Sequence, residues 1–417
     1  MTRSISTREL IGQLANPRTV VVDVRPTAAF NGWLLPGEVR GGHIQGAVNV
    51  PLKWTGLVRG HALRTLLRSK GITADKTVVV YGASRHAAGH VMATILQRLG
   101  YDRTFVYGDD TSAWTADERV PMGRLVHYEQ LVHPTWLYRL LCGTHPVTHA
   151  GQRCVVFEVG WHKMTAYRLG HIPGTIYFPL SAHEERPWWN RVDDGRLLER
   201  LLAYGVTHDT LVVLYSRDTT AAARAAMLLM YAGVEDVRVL DGGFSAWVRA
   251  GYPVEITVRL PVPVTDFGQI VPLHRAYMMD TAATKVFRTE PNTALVCIRS
   301  WAEHIGTTSG YSYIQRAGRI AGAVWGHAGL APRCMEHYRN IDNTMRSADE
   351  IANNWRAWGI TPDKRVAFYC GTGWRASEAC FYAYLMGWPH IAVYDGGWFE
   401  WSQDATNPTA VGVPCSR

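Results

Sequence analysis

One local layout recurs three times along this 417-residue chain, in the same order and at domain-sized intervals. Each copy has an apolar, β-rich run that ends in tyrosine: Val78-Val79-Val80-Tyr81, Leu211-Val212-Val213-Leu214-Tyr215 and Val366-Ala367-Phe368-Tyr369. A short loop and an alanine-containing helical stretch follow each run. Upstream of them lie Gly42-His43-Ile44-Gln45-Gly46-Ala47, Gly170-His171-Ile172-Pro173-Gly174-Thr175 and Gly318-Arg319-Ile320-Ala321-Gly322-Ala323. Downstream come Gly108-Asp109-Asp110 with Trp114, Asp241-Gly242-Gly243 with Trp247, and Asp395-Gly396-Gly397 with Trp401. The three tyrosines are about 130 to 155 residues apart, too far for a solenoid unit, so each copy is a domain. Short β-rich runs alternate with helical patterns inside each copy, which predicts βα units around a parallel sheet. The expected fold is α/β, with three tandem domains over residues 5–120, 126–257 and 266–408, each a parallel sheet flanked by helices. Linkers are read at Val120-Pro121-Met122-Gly123 and at Leu260-Pro261-Val262-Pro263-Val264, and Tyr128 to Leu137 reads as a short leading helix with Pro134 near its start.

Only the third copy has a cysteine directly after the tyrosine. Cys370-Gly371-Thr372-Gly373-Trp374-Arg375 stands where the first copy has Gly82-Ala83-Ser84-Arg85 and the second has Ser216-Arg217-Asp218. A strand that breaks into a glycine-rich turn and then a helix points successive backbone N–H groups into one concavity, and the helix N-terminus adds positive partial charge there. A cysteine at that place is expected largely as thiolate, a nucleophile. The competing reading is a buried cysteine at a strand end, but two glycines and an arginine make poor core filler. In α/β sheets ligands bind beyond the carboxyl ends of the strands, which is where this loop must lie.

The rest of the composition excludes several classes. Net charge is +8, yet the 43 basic residues are spread along the chain without a Lys/Arg-rich cluster, so no nucleic-acid partner is expected. A mild basic excess suits anionic substrates or an acidic partner. Seven cysteines without a Cys-x-x-Cys pair predict neither a zinc site nor a disulfide framework, and no metal or cofactor is expected. No apolar run approaches the length of about 20 needed to cross a bilayer, so no membrane partner is expected. The first residues lack the apolar core of a signal peptide, which points to the cytoplasm, or to the periplasm if this chain is a processed form.

The set made of Val22-Asp23-Val24-Arg25, the Gly-His-Ile turns, the Cys370 to Arg375 loop and the Asp-Gly-Gly segments followed by tryptophan resembles the rhodanese (sulfurtransferase) family. Phe157-Glu158-Val159-Gly160 and Cys297-Ile298-Arg299-Ser300 match its opening strand more loosely. Three copies with one loop cysteine, together with the segment from Gly306 to Ile314, are similar to bacterial triple-rhodanese-domain thiosulfate sulfurtransferases. The resemblance implies one catalytic domain, the third, and two domains without a nucleophile. It implies that Cys370 takes a sulfane sulfur from thiosulfate or a persulfidated protein. The resulting persulfide passes it to a thiophilic small molecule (cyanide in vitro) or to a protein, by ping-pong covalent catalysis. Gly371, Thr372, Gly373, Trp374 and Arg375 are the expected substrate-binding residues. Arg375 either faces an anionic donor or pairs with a carboxylate to hold the loop, and Trp374 is expected in the pocket wall. Many thiosulfate sulfurtransferases of this family carry a basic residue after the cysteine and another near the position of Glu303, and this chain has Gly371 and Glu303 there.

The rival readings are a phosphatase and a non-enzymatic persulfide carrier or scaffold. Cysteine-dependent phosphatases of related fold use Cys-x5-Arg, and the shorter Cys-x4-Arg loop here suits one sulfur atom better. Cys297 and Cys380 read as packed core residues, and so do the recurring Trp114, Trp247 and Trp401. His43 and His171 read as hydrogen-bonding residues of their turns. Ser216 has no evident base.

Overall fold

The computed structural model describes residues 3–83, 87–144 and 152–414, so Ser84, Arg85 and Cys415 lie outside the described residues. The chain divides into two compact units, residues 1–129 with 347–350, and residues 130–346 with 351–417.

The first unit is built on strands β1 (Arg3–Ile5), β2 (Thr19–Asp23), β3 (Val48–Asn49), β4 (Thr77–Tyr81) and β5 (Thr104–Tyr107), in the order β1-β5-β4-β2-β3. The second unit holds two more sheets. One contains β6 (Leu131–Val132), β7 (Cys154–Gly160), β8 (Ile176–Pro179), β9 (Leu211–Ser216) and β10 (Asp236–Leu240), ordered β6-β10-β9-β7-β8. The other contains β11 (Met278–Met279), β12 (Thr293–Cys297), β13 (Val324–Trp325), β14 (Arg365–Tyr369) and β15 (Ile391–Tyr394), ordered β11-β15-β14-β12-β13. All pairings inside these sheets are parallel, and the order is the same three times, as the repeat predicts. In every copy the strand that carries the tyrosine near its end is central, and a helix leaves its loop: α1 (Ala87–Arg98), α2 (Thr219–Ala232) and α3 (Trp374–Leu385).

Parallel sheets are covered on both faces, and alternation along the strands feeds two apolar layers. In the first copy Val20, Val22, Val78 and Val80 pack with Trp54, Leu67 and Leu96, while Val21, Val79 and Tyr81 face Phe30, Tyr107 and Trp114. Trp114, Trp247 and Trp401 are all buried. Tyr128 to Leu137 is not one helix. A single turn at Tyr128–Gln130 leads into β6, whose pairing with β10 draws Leu131–Val132 into the sheet, and the helix starts only at Pro134. Proline tolerates the first helical turn because its missing N–H has no partner there anyway.

One side-chain node recurs at the carboxyl edge of each sheet. The tyrosine hydroxyl accepts the backbone N–H of the isoleucine in the Gly-x-Ile turn: Ile44 to Tyr81 at 3.1 Å, Ile172 to Tyr215 at 3.1 Å, Ile320 to Tyr369 at 3.2 Å. The same hydroxyl donates to Asp23 at 2.7 Å and to Glu158 at 2.8 Å, each directly across the register from its tyrosine. An arginine completes the node: Arg25 pairs with Asp23 and donates to Gly42 O at 2.6 Å, while Arg217 pairs with Glu158 and donates to the Gly170 carbonyl. In the third copy Cys297 takes the carboxylate's place. Tyr369 is hydrogen-bonded to its thiol, and Arg299 donates to Sγ at 3.3 Å and to Gly318 O at 2.6 Å. Tyr215→Phe removes the hydroxyl and leaves Glu158 and the Ile172 N–H short of a partner. A loss of about 1–3 kcal/mol is expected in urea unfolding, with little change in m.

Candidate functional site

Cys370 follows β14 at the carboxyl edge of the third sheet and is only 1% exposed. That remnant opens on the floor of a cavity of about 770 Å³. The loop is pinned from the Asp-Gly-Gly segment: Trp398 N donates to Cys370 O at 2.7 Å, and Phe399 N donates to Gly371 O at 3.0 Å. Gly373 precedes α3 with φ of 89°, a left-handed geometry that glycine adopts without strain. Its carbonyl accepts from Ser377 N at 2.8 Å and Ser377 Oγ at 2.9 Å. These bonds close the first turn of α3 directly after the loop.

Arg375 borders the cavity, and both of its terminal nitrogens are bound to neighbouring side chains. Its Nη2 donates to Glu303 Oε1 at 2.8 Å and to Tyr311 Oη at 2.7 Å, and its Nη1 donates to Glu303 Oε2 at 3.1 Å. Glu303 also closes a capping box on Ser300, accepting from its N at 2.9 Å and Oγ at 2.8 Å. Burial acts to raise the Glu303 carboxyl, but the Arg375 guanidinium outweighs it and holds the group below the usual range. Of the two readings of Arg375, the structure shows the carboxylate pair. Burial pushes Tyr311 up, so its phenol stays protonated over the site.

The departure at Gly371 has a steric reason. A Cβ there would lie 2.4 Å from Tyr311 Cζ, so the ring fills the space that a basic side chain would need. Thr372 and Trp374 line the cavity with Cys370. The sequence reading missed the opposite wall, which the second copy supplies. Trp161, Glu184, Arg186, Trp189, Asp218 and Thr220 all border the cavity, and Trp161 lies 5.6 Å from Trp374 and 5.0 Å from Trp189 between ring centres. The run Glu184-Glu185-Arg186-Pro187-Trp188-Trp189 was the available signal, a cluster of charge and indole outside the repeated markers.

The remaining candidates are elsewhere. Ser216 Oγ donates to the Asp218 carbonyl and accepts from Ala222 N at 3.2 Å, so it serves its own turn. Gly82 sits at the equivalent place in the first copy. His43 and His171 bond the carbonyls of Phe30 and Tyr167, each at 2.7 Å, and stack on those rings. Cys297 and Cys380 are fully buried, and burial pushes the Cys380 thiol up.

The profile described as "Rhodanese-like domain" matches residues 6–117, 159–250 and 284–404. The thiosulfate sulfurtransferase YnjE of Escherichia coli is 41% identical over 405 residues, covering 96% of this chain and 91% of that protein. The anaerobic ergothioneine biosynthesis enzyme from Chlorobium limicola, solved with its natural substrate trimethyl histidine, is 39% identical with a TM-score of 0.94 over 99% of this chain and 100% of that one. A structure of EanB with a cysteine persulfide, in a tetrahedral intermediate state with ergothioneine, is 38% identical with a TM-score of 0.94, covering 99% and 100% of the two chains.

Gly371→Lys tests the steric account. Overpacking against Tyr311 is expected to cost about 1–3 kcal/mol in thermal or urea unfolding. The double variant with Tyr311→Ala is expected to recover part of that loss in a double-mutant cycle. Additive losses would mean that the ring and residue 371 do not compete for space.

Proposed function

Because this chain belongs to the rhodanese-like family, we propose that it is a sulfurtransferase in which Cys370 carries the sulfur as a persulfide to an organic acceptor bound in the aromatic cavity. The single observation that carries this reading is the cavity itself. About 770 Å³ over one buried cysteine is drug-sized space, lined by Trp161, Trp189, Trp374, Tyr311, Tyr313 and Phe399. Cyanide needs almost none of it. Aromatic faces attract quaternary ammonium groups, and trimethyl histidine, the substrate of the Chlorobium limicola enzyme, carries one.

The first half-reaction needs a sulfane donor, either thiosulfate, after which the Escherichia coli relative is named, or a persulfidated protein. The Cys370 thiolate attacks the outer sulfur of thiosulfate. The sulfur–sulfur bond of the donor breaks, and sulfite leaves with the electron pair. The backbone N–H groups from Thr372 to Arg375 are the donors this reading assigns to the new terminal sulfur. Arg186 and Arg333, both in the cavity wall, supply the positive charge that Arg375 has committed to Glu303. In the second half-reaction a carbon–sulfur bond forms between the outer sulfur and an imidazole carbon of the acceptor, the persulfide sulfur–sulfur bond breaks with its electron pair returning to Cys370 as thiolate, and the proton of the ring C–H leaves to solvent. For trimethyl histidine the product is ergothioneine.

Intact-mass spectrometry after thiosulfate treatment is expected to show one added sulfur on the wild type and none on Cys370→Ala. Sulfur transfer to cyanide is expected to disappear in Cys370→Ala and Cys370→Ser, and to persist in Cys142, Cys154 and Cys334 variants. The persulfidated enzyme mixed with trimethyl histidine is expected to release ergothioneine. Turnover by Cys370→Ala would sink the nucleophile. A persulfide that no organic acceptor discharges would reduce the protein to a carrier. Phosphate-ester hydrolysis dependent on Cys370, with no persulfide formed, would restore the phosphatase reading.

A further inference from the structure

We propose that Glu184 of the second copy is a positioning residue for the sulfur-carrying loop of the third: together with Arg224 it clamps Trp374 and Gly373, and so sets the aim of Cys370. The inference rests on the reading that Cys370 carries the sulfur. It assigns work to a copy that has no nucleophile of its own.

The clamp is fully enclosed. Arg224 lies on α2 with no exposed surface, although the helix around it is mostly alanine and packs along α3. Its Nε donates to Glu184 Oε1 at 2.7 Å, and its Nη2 donates to Asp395 Oδ1 at 2.5 Å. Glu184 stands in a two-residue hairpin strand, Glu184–Glu185, paired with Asn190–Arg191. The hairpin is tied to the third copy on its other strand as well. Arg191 N donates to Asp395 Oδ2 at 2.8 Å, and Asn190 Nδ2 donates to Glu400 Oε2 at 2.8 Å. Arg224, Glu184 and Asp395 are all buried, so removing one of the three strands the others, which is the costly case for buried ions.

Two contacts make the clamp more than an adhesive between copies. Trp374 Nε1 donates to Glu184 Oε1 at 3.0 Å and Oε2 at 3.1 Å, and Trp374 is the first residue of α3. The residue that opens the helix after the Cys370 loop is therefore held by a carboxylate from another copy. Gly373, the left-handed residue of the loop, rests on the guanidinium: a Cβ there would come 3.1 Å from Arg224 Nη1.

The protonation of Glu184 adds a signature. Burial pushes its carboxyl up to about 7, against the pull of Arg224 and the Trp374 hydrogen bond, and Asp395 pushes the same way as burial. The groups facing it are Arg224 from α2, Asp395 after β15 and Trp374 from α3. Arg186 and Asp218 share the cavity wall. His183, its neighbour in sequence, is lowered to about 4 by burial and stays neutral. Above about pH 7 the carboxylate is charged and both hydrogen bonds into it are charge-assisted, which is the firm state of the clamp. Stability runs the other way. A carboxyl whose folded value is raised contributes stability below its ordinary value of about 4.5, and that contribution is lost as pH rises towards about 7. Loop order and this group's share of stability therefore move in opposite directions across the same window.

Full-length Glu184→Gln and Trp374→Phe test the clamp. The readouts are kcat and KM for thiosulfate and cyanide across neutral pH, melting temperature, and persulfide by mass. In the wild type an acid limb near pH 7 is expected. In Glu184→Gln that limb is expected to flatten and kcat above pH 7 to fall roughly 10- to 100-fold, as small misplacements of reacting groups do. KM for cyanide should hold within about twofold, with the persulfide still forming. Trp374→Phe keeps an aromatic side chain while losing the indole N–H together with its five-membered ring, and is expected to reproduce the kcat loss and the flattened acid limb, including where Glu184→Gln folds poorly. Wild-type kcat and pH profile in both variants would overturn the clamp while leaving the sulfurtransferase reading standing. Absence of a persulfide on the wild type would overturn that reading instead.

Discussion

A tyrosine hydroxyl at the end of a central strand is the interaction on which the rest of each copy depends. It takes a backbone N–H from the Gly-x-Ile turn and gives its own proton to the residue across the register, so one oxygen joins two strands and a turn at the edge where loops diverge. A buried hydroxyl with both functions satisfied is a rigid point in a low-dielectric interior. The loop that follows therefore starts from a fixed position in all three copies, whatever residues it contains. That permits the loops to differ in chemistry, with Gly82, Ser216 and Cys370 at the same place, while the sheets remain alike.

The third copy departs from the other two around this point in a consistent direction. A thiol replaces the carboxylate beside Arg299, and that arginine keeps one Nη without a hydrogen-bond partner. Among the acids near the loop, Glu303 is committed to Arg375 and to its own helix cap, and Glu184 to Arg224 and Trp374. Tyr311 occupies the space over Gly371. The surroundings of Cys370 are thus aromatic and nearly free of uncommitted negative charge, which suits a species whose sulfur carries the charge itself.

Much of this was legible from residue order. The strand, turn, loop and Asp-Gly-Gly markers predicted three parallel sheets, and the cavity lies at the strand ends where such sheets bind ligands. Of the loop glycines, Gly373 takes a left-handed dihedral and Gly371 leaves room for the Tyr311 ring. The partner of Arg375 stayed open because Glu303 is 72 residues away and its preference is set by packing. The wall from the second copy was not legible at all. Glu184 meets Trp374 across 190 residues, from a hairpin that none of the repeated markers contains. Periodicity reports which face of an element is buried, and says nothing about which distant element covers it.

The buried guanidinium of Arg224 makes the duplication history of this chain one-way. Three similar domains in tandem look interchangeable, as though any copy were portable. Arg224 now sits between Glu184 of its own copy and Asp395 of the next. If the two copies were parted, Asp395 would lose the guanidinium, and the Arg224–Glu184 pair would lose both Asp395 and the Trp374 indole. The second copy has lost its freedom to be deleted, shuffled or replaced, a form of entrenchment in which a domain without chemistry of its own becomes indispensable through the charges it shields.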